Sequence, residues 1–168
     1  PEEGNLRPQL LDRFGMVVDV EAETDVDKRV QIIENRMAYE KNPGYFCRKY
    51  KESQEELSER IRSARELLPT VRVPKELLRL AAQICVAYGT DGHRADIGMI
   101  RTAQTIAALE GRKKASREDL ERAARYVLPH RMRKNPLEDG QMDPQVMEEI
   151  LSAGKKSSRE PEASGEGD

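Results

Sequence analysis

The chain has 168 residues, of which 37% are hydrophobic and 36% charged, enough for one domain with a modest core. Its 29 basic and 31 acidic residues leave a net charge of −2, so no overall field favours a nucleic acid or an anionic membrane. No apolar run reaches the ~20 residues that span a bilayer, and no signal-like segment opens the chain, so it reads as a soluble protein of the cytoplasm.

In chain order, Leu6, Leu10, Leu11 and Phe14 share one side of a short helix, with Pro8 in its first turn and Gly15 as its stop. Met16–Val20 is a β-type run too short to form a sheet alone, so it predicts a strand that pairs elsewhere. Asp25 can cap a helix carrying Val26, Val30, Ile33 and Met37, which Asn42-Pro43-Gly44 breaks. Ser53 to Leu68 predicts a charged helix with a narrow stripe of Leu57, Ile61, Ala64 and Leu68. Pro74 opens a more apolar helix through Leu77, Leu78, Ala81, Ile84, Cys85 and Tyr88, and Gly89 stops it. Asp96 to Leu109 presents Ile97, Ile100, Ala103, Ile106, Ala107 and Leu109 before Gly111. Ser116-Arg117-Glu118-Asp119 resembles a capping box and leads into Leu120, Ala123, Ala124, Val127 and Leu128. A short helix from about Pro144 to Ala153 and a disordered acidic tail complete the expectation.

Metal chemistry has little support, because His93, His130, Cys47 and Cys85 occur in no ligand spacing; two reduced thiols are expected. The His130-Arg131-Met132-Arg133-Lys134 cluster suits a helix end, and Tyr45, Phe46 and Tyr50 suit local packing better than a platform for single strands. No phosphate loop, Ser/His/Asp set or zinc motif is found, so no self-contained catalytic site is expected.

Three blocks carry a resemblance. Pro1-Glu2-Glu3-Gly4-Asn5 running into Leu6-Arg7-Pro8-Gln9-Leu10-Leu11-Asp12-Arg13-Phe14-Gly15 is similar to the turn and arginine-finger helix of the magnesium chelatase AAA+ ATPase subunits. Asp91-Gly92-His93-Arg94-Ala95-Asp96-Ile97, with Ile100-Arg101-Thr102-Ala103, resembles the sensor 2 helix of that family. Ala107 to Arg112 and Leu128 to Arg133 resemble the end of its helical lid. The blocks run in the family's order over residues 1–136.

The resemblance implies a mainly α chain: an AAA+ C-terminal helical lid preceded by the last helix and strand of the α/β ATPase core. The expected division is residues 1–22 for the end of the core, 23–136 for the lid, and 137–168 for a short helix and linker. On this reading the chain opens inside a motif and is a C-terminal fragment lacking the phosphate loop.

Arg13 would be the arginine finger, reaching the γ-phosphate of a neighbouring subunit, since a planar and permanently charged fork suits phosphate oxygens. Arg7 is the second candidate on the same helix. Arg94 would be the sensor 2 arginine, touching ATP phosphates in its own subunit, and Arg101, which also matches a family position, is the weaker nucleotide-binding candidate, its alternative being to brace the helix. Read alone, Arg94 would pair with Asp91 or Asp96, and Arg13 would be a solvated helix-end cation with Asp12 beside it as a tether. His93 stands where the family pattern often has an apolar residue.

The complete subunit would use ATP and Mg²⁺, with none bound by this chain alone. Its reaction would be ATP-driven insertion of Mg²⁺ into protoporphyrin IX for chlorophyll or bacteriochlorophyll synthesis. Its partners would be copies of itself in a hexameric ring, a related D-type subunit and a large porphyrin-binding subunit, with no nucleic acid and no membrane. The setting would be the cytoplasm, or a plastid stroma in a photosynthetic eukaryote. The alternatives are a cobaltochelatase ATPase for cobalamin, to which the acidic tail also points, a MoxR-like AAA+ chaperone, and a helical interaction module without nucleotide.

Overall fold

The computed structural model describes residues 7–90 and 92–132. The first turn, α1 (Pro8–Leu11), is four residues long and continues only through i to i−3 bonds, Arg13 N–H to Leu10 O and Phe14 N–H to Leu11 O. It is shorter than the periodicity of Leu6 to Phe14 suggests, because so few residues cannot repay the cost of helix nucleation.

Met16–Val20, expected to pair with strands outside this chain, joins no ladder here. No strand forms among the described residues, whose only ladder-like feature is an isolated parallel bridge between Arg72 and Lys114. A β-type run with no neighbouring strand has no ladder to join. Instead Val17 donates its N–H to the C=O of Tyr126 at 2.8 Å, which lays the segment against a later helix.

Helix α2 (Val26–Lys41) begins where the Asp25 carboxylate accepts from the N–H groups of Asp27 and Lys28. It ends at Asn42, which does double duty. Its N–H closes α2 on Ala38 O, and its Oδ1 accepts from Tyr45 N–H to start α3 (Pro43–Lys49), with Pro43 at the tolerant first position. The expected break is therefore a corner between two helices. Phe46 packs there between Tyr39 and Tyr50, with ring centroids 5.8 and 4.9 Å away. Helices α2 and α3 bury no residue.

Helix α4 (Lys51–Leu67) buries only Ala64 and passes through a 3-10 turn, Leu68–Thr70, toward the core. The core belongs to α5 (Lys75–Ala87), α6 (Arg94–Leu109) and α7 (Arg117–Val127). Ile84, Met99, Leu120, Val127 and Leu128 are its largest fully buried apolar side chains. Six of the ten buried residues of α6 and α7 are alanine: Ala95, Ala103, Ala107 and Ala108 on one helix, Ala123 and Ala124 on the other. Small side chains at a crossing allow the axes to approach closely.

Both core connections are fixed by their ends. Gly111 (φ 72°) turns the chain after α6 while Arg112 N–H reaches Ala107 O and Gly111 N–H reaches Ala108 O, satisfying carbonyls the helix leaves open. The expected capping box opens α7, Ser116 Oγ accepting from Asp119 N–H and the Asp119 carboxylate accepting from Ser116 N–H at 2.7 Å. Asp119, 1% exposed, also receives both Arg112 nitrogens at 2.7 and 2.5 Å. Burial alone would raise its pKa, but the Arg112 fork and the Ser116 donors outweigh it and hold the carboxyl below the ordinary value. The short helix expected at 144–153 and the acidic tail lie outside the described residues.

Candidate functional site: an arginine-lined groove

An open groove of about 970 Å³ runs between the α1 turn and helix α6. Its apolar surface comes from Met16, Val18, Ile97, Ile106 and Tyr126, and four arginines edge it: Arg13, Arg94, Arg101 and Arg131. Three of the four candidate arginines thus meet in one place although up to 88 residues separate them in sequence (101 − 13). The fourth, Arg7, is exposed and does not line the groove.

Arg94 opens a 16-residue helix whose N-cap, His93, supplies no side-chain cap. Its first N–H groups and partial positive charge favour an anion, and a cation at that end needs compensation. The compensation is Asp12, whose carboxylate accepts a charge-assisted hydrogen bond from Arg94 Nη1. This is neither local pairing that the sequence offers: Asp96 lies nearer His93, at 3.9 Å, and Asp91 is outside the described residues. The Arg94 side chain remains 60% exposed, so it is accessible to a second anion.

With Asp12 engaged by Arg94, Arg13 is not tethered by its neighbour. Its side chain is exposed and makes no ion pair among the described residues. Arg101 lies two turns along α6 from Arg94, exposed at the groove wall, and its C=O accepts from Thr105 Oγ1 as part of the helix surface.

Arg131 is the residue sequence reasoning missed. It reads as one cation in the cluster after α7, yet its side chain is 7% exposed. Its Nη2 donates to the backbone oxygens of Asp12 (3.3 Å) and Phe14 (2.7 Å), while His130 Nε2 lies 3.0 Å from the same Phe14 oxygen. Burial lowers the guanidinium's pKa, Asp12 opposes that, and Arg94 reinforces it. The available signal was spacing: Arg131 falls one turn beyond Val127 and Leu128, where a side chain can fold back over the buried face.

Comparison with known proteins shows what the chain is similar to. Residues 78–150 match the AAA lid domain family. A magnesium-chelatase subunit ChlI homolog of Methanocaldococcus jannaschii is 42% identical over 156 residues, covering 93% of this chain and 43% of that protein. The magnesium-chelatase 38 kDa subunit of Acidiphilium rubrum is 42% identical over 139 residues, covering 83% of this chain and 40% of that one. A crystal structure of an ATPase candidate from Cytophaga hutchinsonii superposes with a TM-score of 0.64 at 20% identity, covering 89% of this chain and 48% of its own, a likeness of fold. The chain spans less than half the length of these curated relatives, 43% of the first and 40% of the second. Over the part it spans, the chain is a mainly helical homologue of the magnesium-chelatase ChlI-type subunits, and its residues 78–150 match the AAA lid domain.

Proposed function

We propose that this chain provides the lid and the trans-acting arginine of an ATPase motor subunit that drives insertion of Mg²⁺ into protoporphyrin IX. The observation that carries the reading is the groove, where an exposed, untethered Arg13 sits beside an Arg94 at a helix N-terminus. The names of the relatives supply the metal, and they favour magnesium over cobalt.

In this account residues 1–22 end the ATPase core, 23–136 form the lid, and 137–168 lead away from it. Arg94 contacts ATP phosphates bound in its own subunit. Phosphate oxygens and the Asp12 carboxylate are alternative partners for the same exposed guanidinium, so nucleotide binding competes with an ion pair of low cost. Arg13 reaches the γ-phosphate held by the next subunit and stabilises charge there as the bond to the leaving group breaks. Loss of phosphate releases Arg94, and the rigid α5–α7 core converts that into lid movement. The subunit works in a ring of copies, with a related D-type subunit and a large subunit that binds the porphyrin.

Two substitutions in an intact subunit of this type test the assignment. Arg94→Ala weakens ATP binding by about 1.5–3 kcal/mol, the loss of a charge-assisted contact, and lowers turnover. Arg13→Ala leaves ATP binding unchanged and lowers turnover by roughly 10³–10⁵. Unchanged affinity and turnover in Arg94→Ala, or unchanged turnover in Arg13→Ala, overturns the corresponding role.

A further inference from the structure

We propose that Arg131 is a positioning residue for Arg13, a buried clamp that fixes the carbonyl groups of the two residues on either side of the finger. This rests on the reading of Arg13 as a finger. The α1 turn is too short to hold its own shape, with four helical residues and two i to i−3 bonds beyond them. The direction in which Arg13 leaves the backbone is therefore set from outside. Two anchors do this, and they differ in kind.

Asp12 is held through its side chain by Arg94, an exposed contact for which an anion can compete. Asp12 and Phe14 are also held through their carbonyl oxygens by Arg131 Nη2. These bonds run to main-chain acceptors from a side chain that is 7% exposed, so an anion has far less access to them than to Arg94, which is 60% exposed. The residues on either side of Arg13 are thereby tied to the end of α7, and so to the rigid core of the lid.

The cost of this arrangement is the argument for its purpose. Nε and Nη1 of Arg131 are buried without a hydrogen-bond partner, Nε standing 3.9 Å from Asp12 Oδ1. A buried guanidinium that gives its hydrogen bonds to two main-chain oxygens, with its nearest carboxylate oxygen 3.9 Å away, is a poor way to stabilise a fold. The path of the side chain is also reserved for it. At Gly98 on α6 a Cβ would lie 3.3 Å from Arg131 Nη1 and 3.1 Å from Val127 Cγ1, so even an alanine would press on the clamp.

The test uses an intact subunit able to bind ATP, with steady-state hydrolysis and ATP affinity measured for Arg13→Ala, Arg131→Ala, Arg131→Lys and the Arg13→Ala/Arg131→Ala pair. A finger displaced by about an ångström loses roughly 10²-fold in rate. Arg131→Ala should therefore lower kcat about 10²-fold with KM for ATP unchanged. Arg131→Lys should recover only part of it, since an ammonium lacks the planar fork that spans two oxygens. The double variant should be no slower than Arg13→Ala alone, because a clamp without a finger has nothing to place. Gly98→Ala, which leaves the arginine in the chain, should lower kcat in the same selective way and covers the case in which Arg131→Ala fails to fold. If Arg13→Ala is inactive but Arg131→Ala and Gly98→Ala turn over normally, the clamp is overturned and the finger stands. A rise in KM in step with the fall in kcat, or an additive double variant, also overturns it. Normal turnover in Arg13→Ala overturns the finger, and the clamp with it.

Discussion

Replacing Asp119 by alanine isolates the contact that joins the end of α6 to the start of α7. The carboxylate accepts from both terminal nitrogens of Arg112 and from Ser116 N–H, and it is 1% exposed. Losing the reciprocal cap costs about 1 kcal/mol. The paired bonds to Arg112 would add ~1.5–3 kcal/mol as charge-assisted contacts, but Arg112 is 37% exposed and regains water, so the lower half of that range applies. The expected loss is about 2–3 kcal/mol, with urea denaturation of the 168-residue chain at neutral pH, followed by circular dichroism, as the assay. The sign of the pH dependence follows from the same contact. The folded carboxyl titrates below its unfolded value, so its contribution is complete above the unfolded pKa and is lost as pH falls through the folded one. The gap between wild type and Asp119→Ala should therefore be constant near neutrality and close below about pH 4. A loss under ~0.5 kcal/mol at pH 7, within the range of ordinary surface substitutions, or a gap that widens on acidification, refutes the reasoning.

Other outcomes follow from the same structure. Asp12→Asn removes the exposed ion pair to Arg94, worth only ~0.2–1 kcal/mol and less in high salt, and also the counter-charge 3.9 Å from the buried Arg131 Nε, so the loss read from urea midpoints should exceed that range and persist in salt. Gly111→Ala should cost about 1 kcal/mol through backbone strain alone, because φ is 72° and no atom lies within 4 Å of a Cβ there. Cys47 is exposed, whereas burial pushes the Cys85 thiol up to about 11, so iodoacetamide at pH 8 should alkylate Cys47 and spare Cys85 until denaturant is added, as mass spectrometry of the digest would record.

The helices of the core were legible where apolar residues recur with helical period and polar residues mark the ends. Asp25, Ser116 with Asp119, and Gly111 all act at the termini their chemistry suggests. Periodicity identified faces less well than elements. Ile97 and Leu109 belong to the expected stripe of α6 but are 52% and 38% exposed, while Met99, one position off that stripe, is fully buried. The stripe of α4 likewise leaves Leu57 and Ile61 half-exposed, since a pattern tells which side is apolar and not whether anything covers it. Helix α3 was hidden because Pro43-Gly44 reads as a break, although proline is at home in a first turn and Asn42 can cap.

The candidate site was legible as residues and illegible as an arrangement. Resemblance marked Arg13, Arg94 and Arg101, and all three line one groove. Nothing local predicts that Asp12 crosses to Arg94, 82 positions away, instead of bracing Arg13. Arg131 stayed hidden for the same reason: in sequence it is one charge among several, and only the fold brings it under the α1 turn.

The central claim is that Arg13 acts on nucleotide held by another subunit. Mixing intact subunits bearing Arg13→Ala with subunits disabled in their own phosphate loop tests it most directly, with hydrolysis followed as a function of the mixing ratio and ring assembly verified by sedimentation. Each parent is inactive, one lacking fingers and the other lacking pockets. At hybrid interfaces an intact pocket meets an intact finger, so activity should rise above both parents and peak at intermediate ratios. Flat activity across all ratios in verified mixed rings, or an Arg7→Ala subunit that is itself inactive and complements in place of Arg13→Ala, would contradict the account.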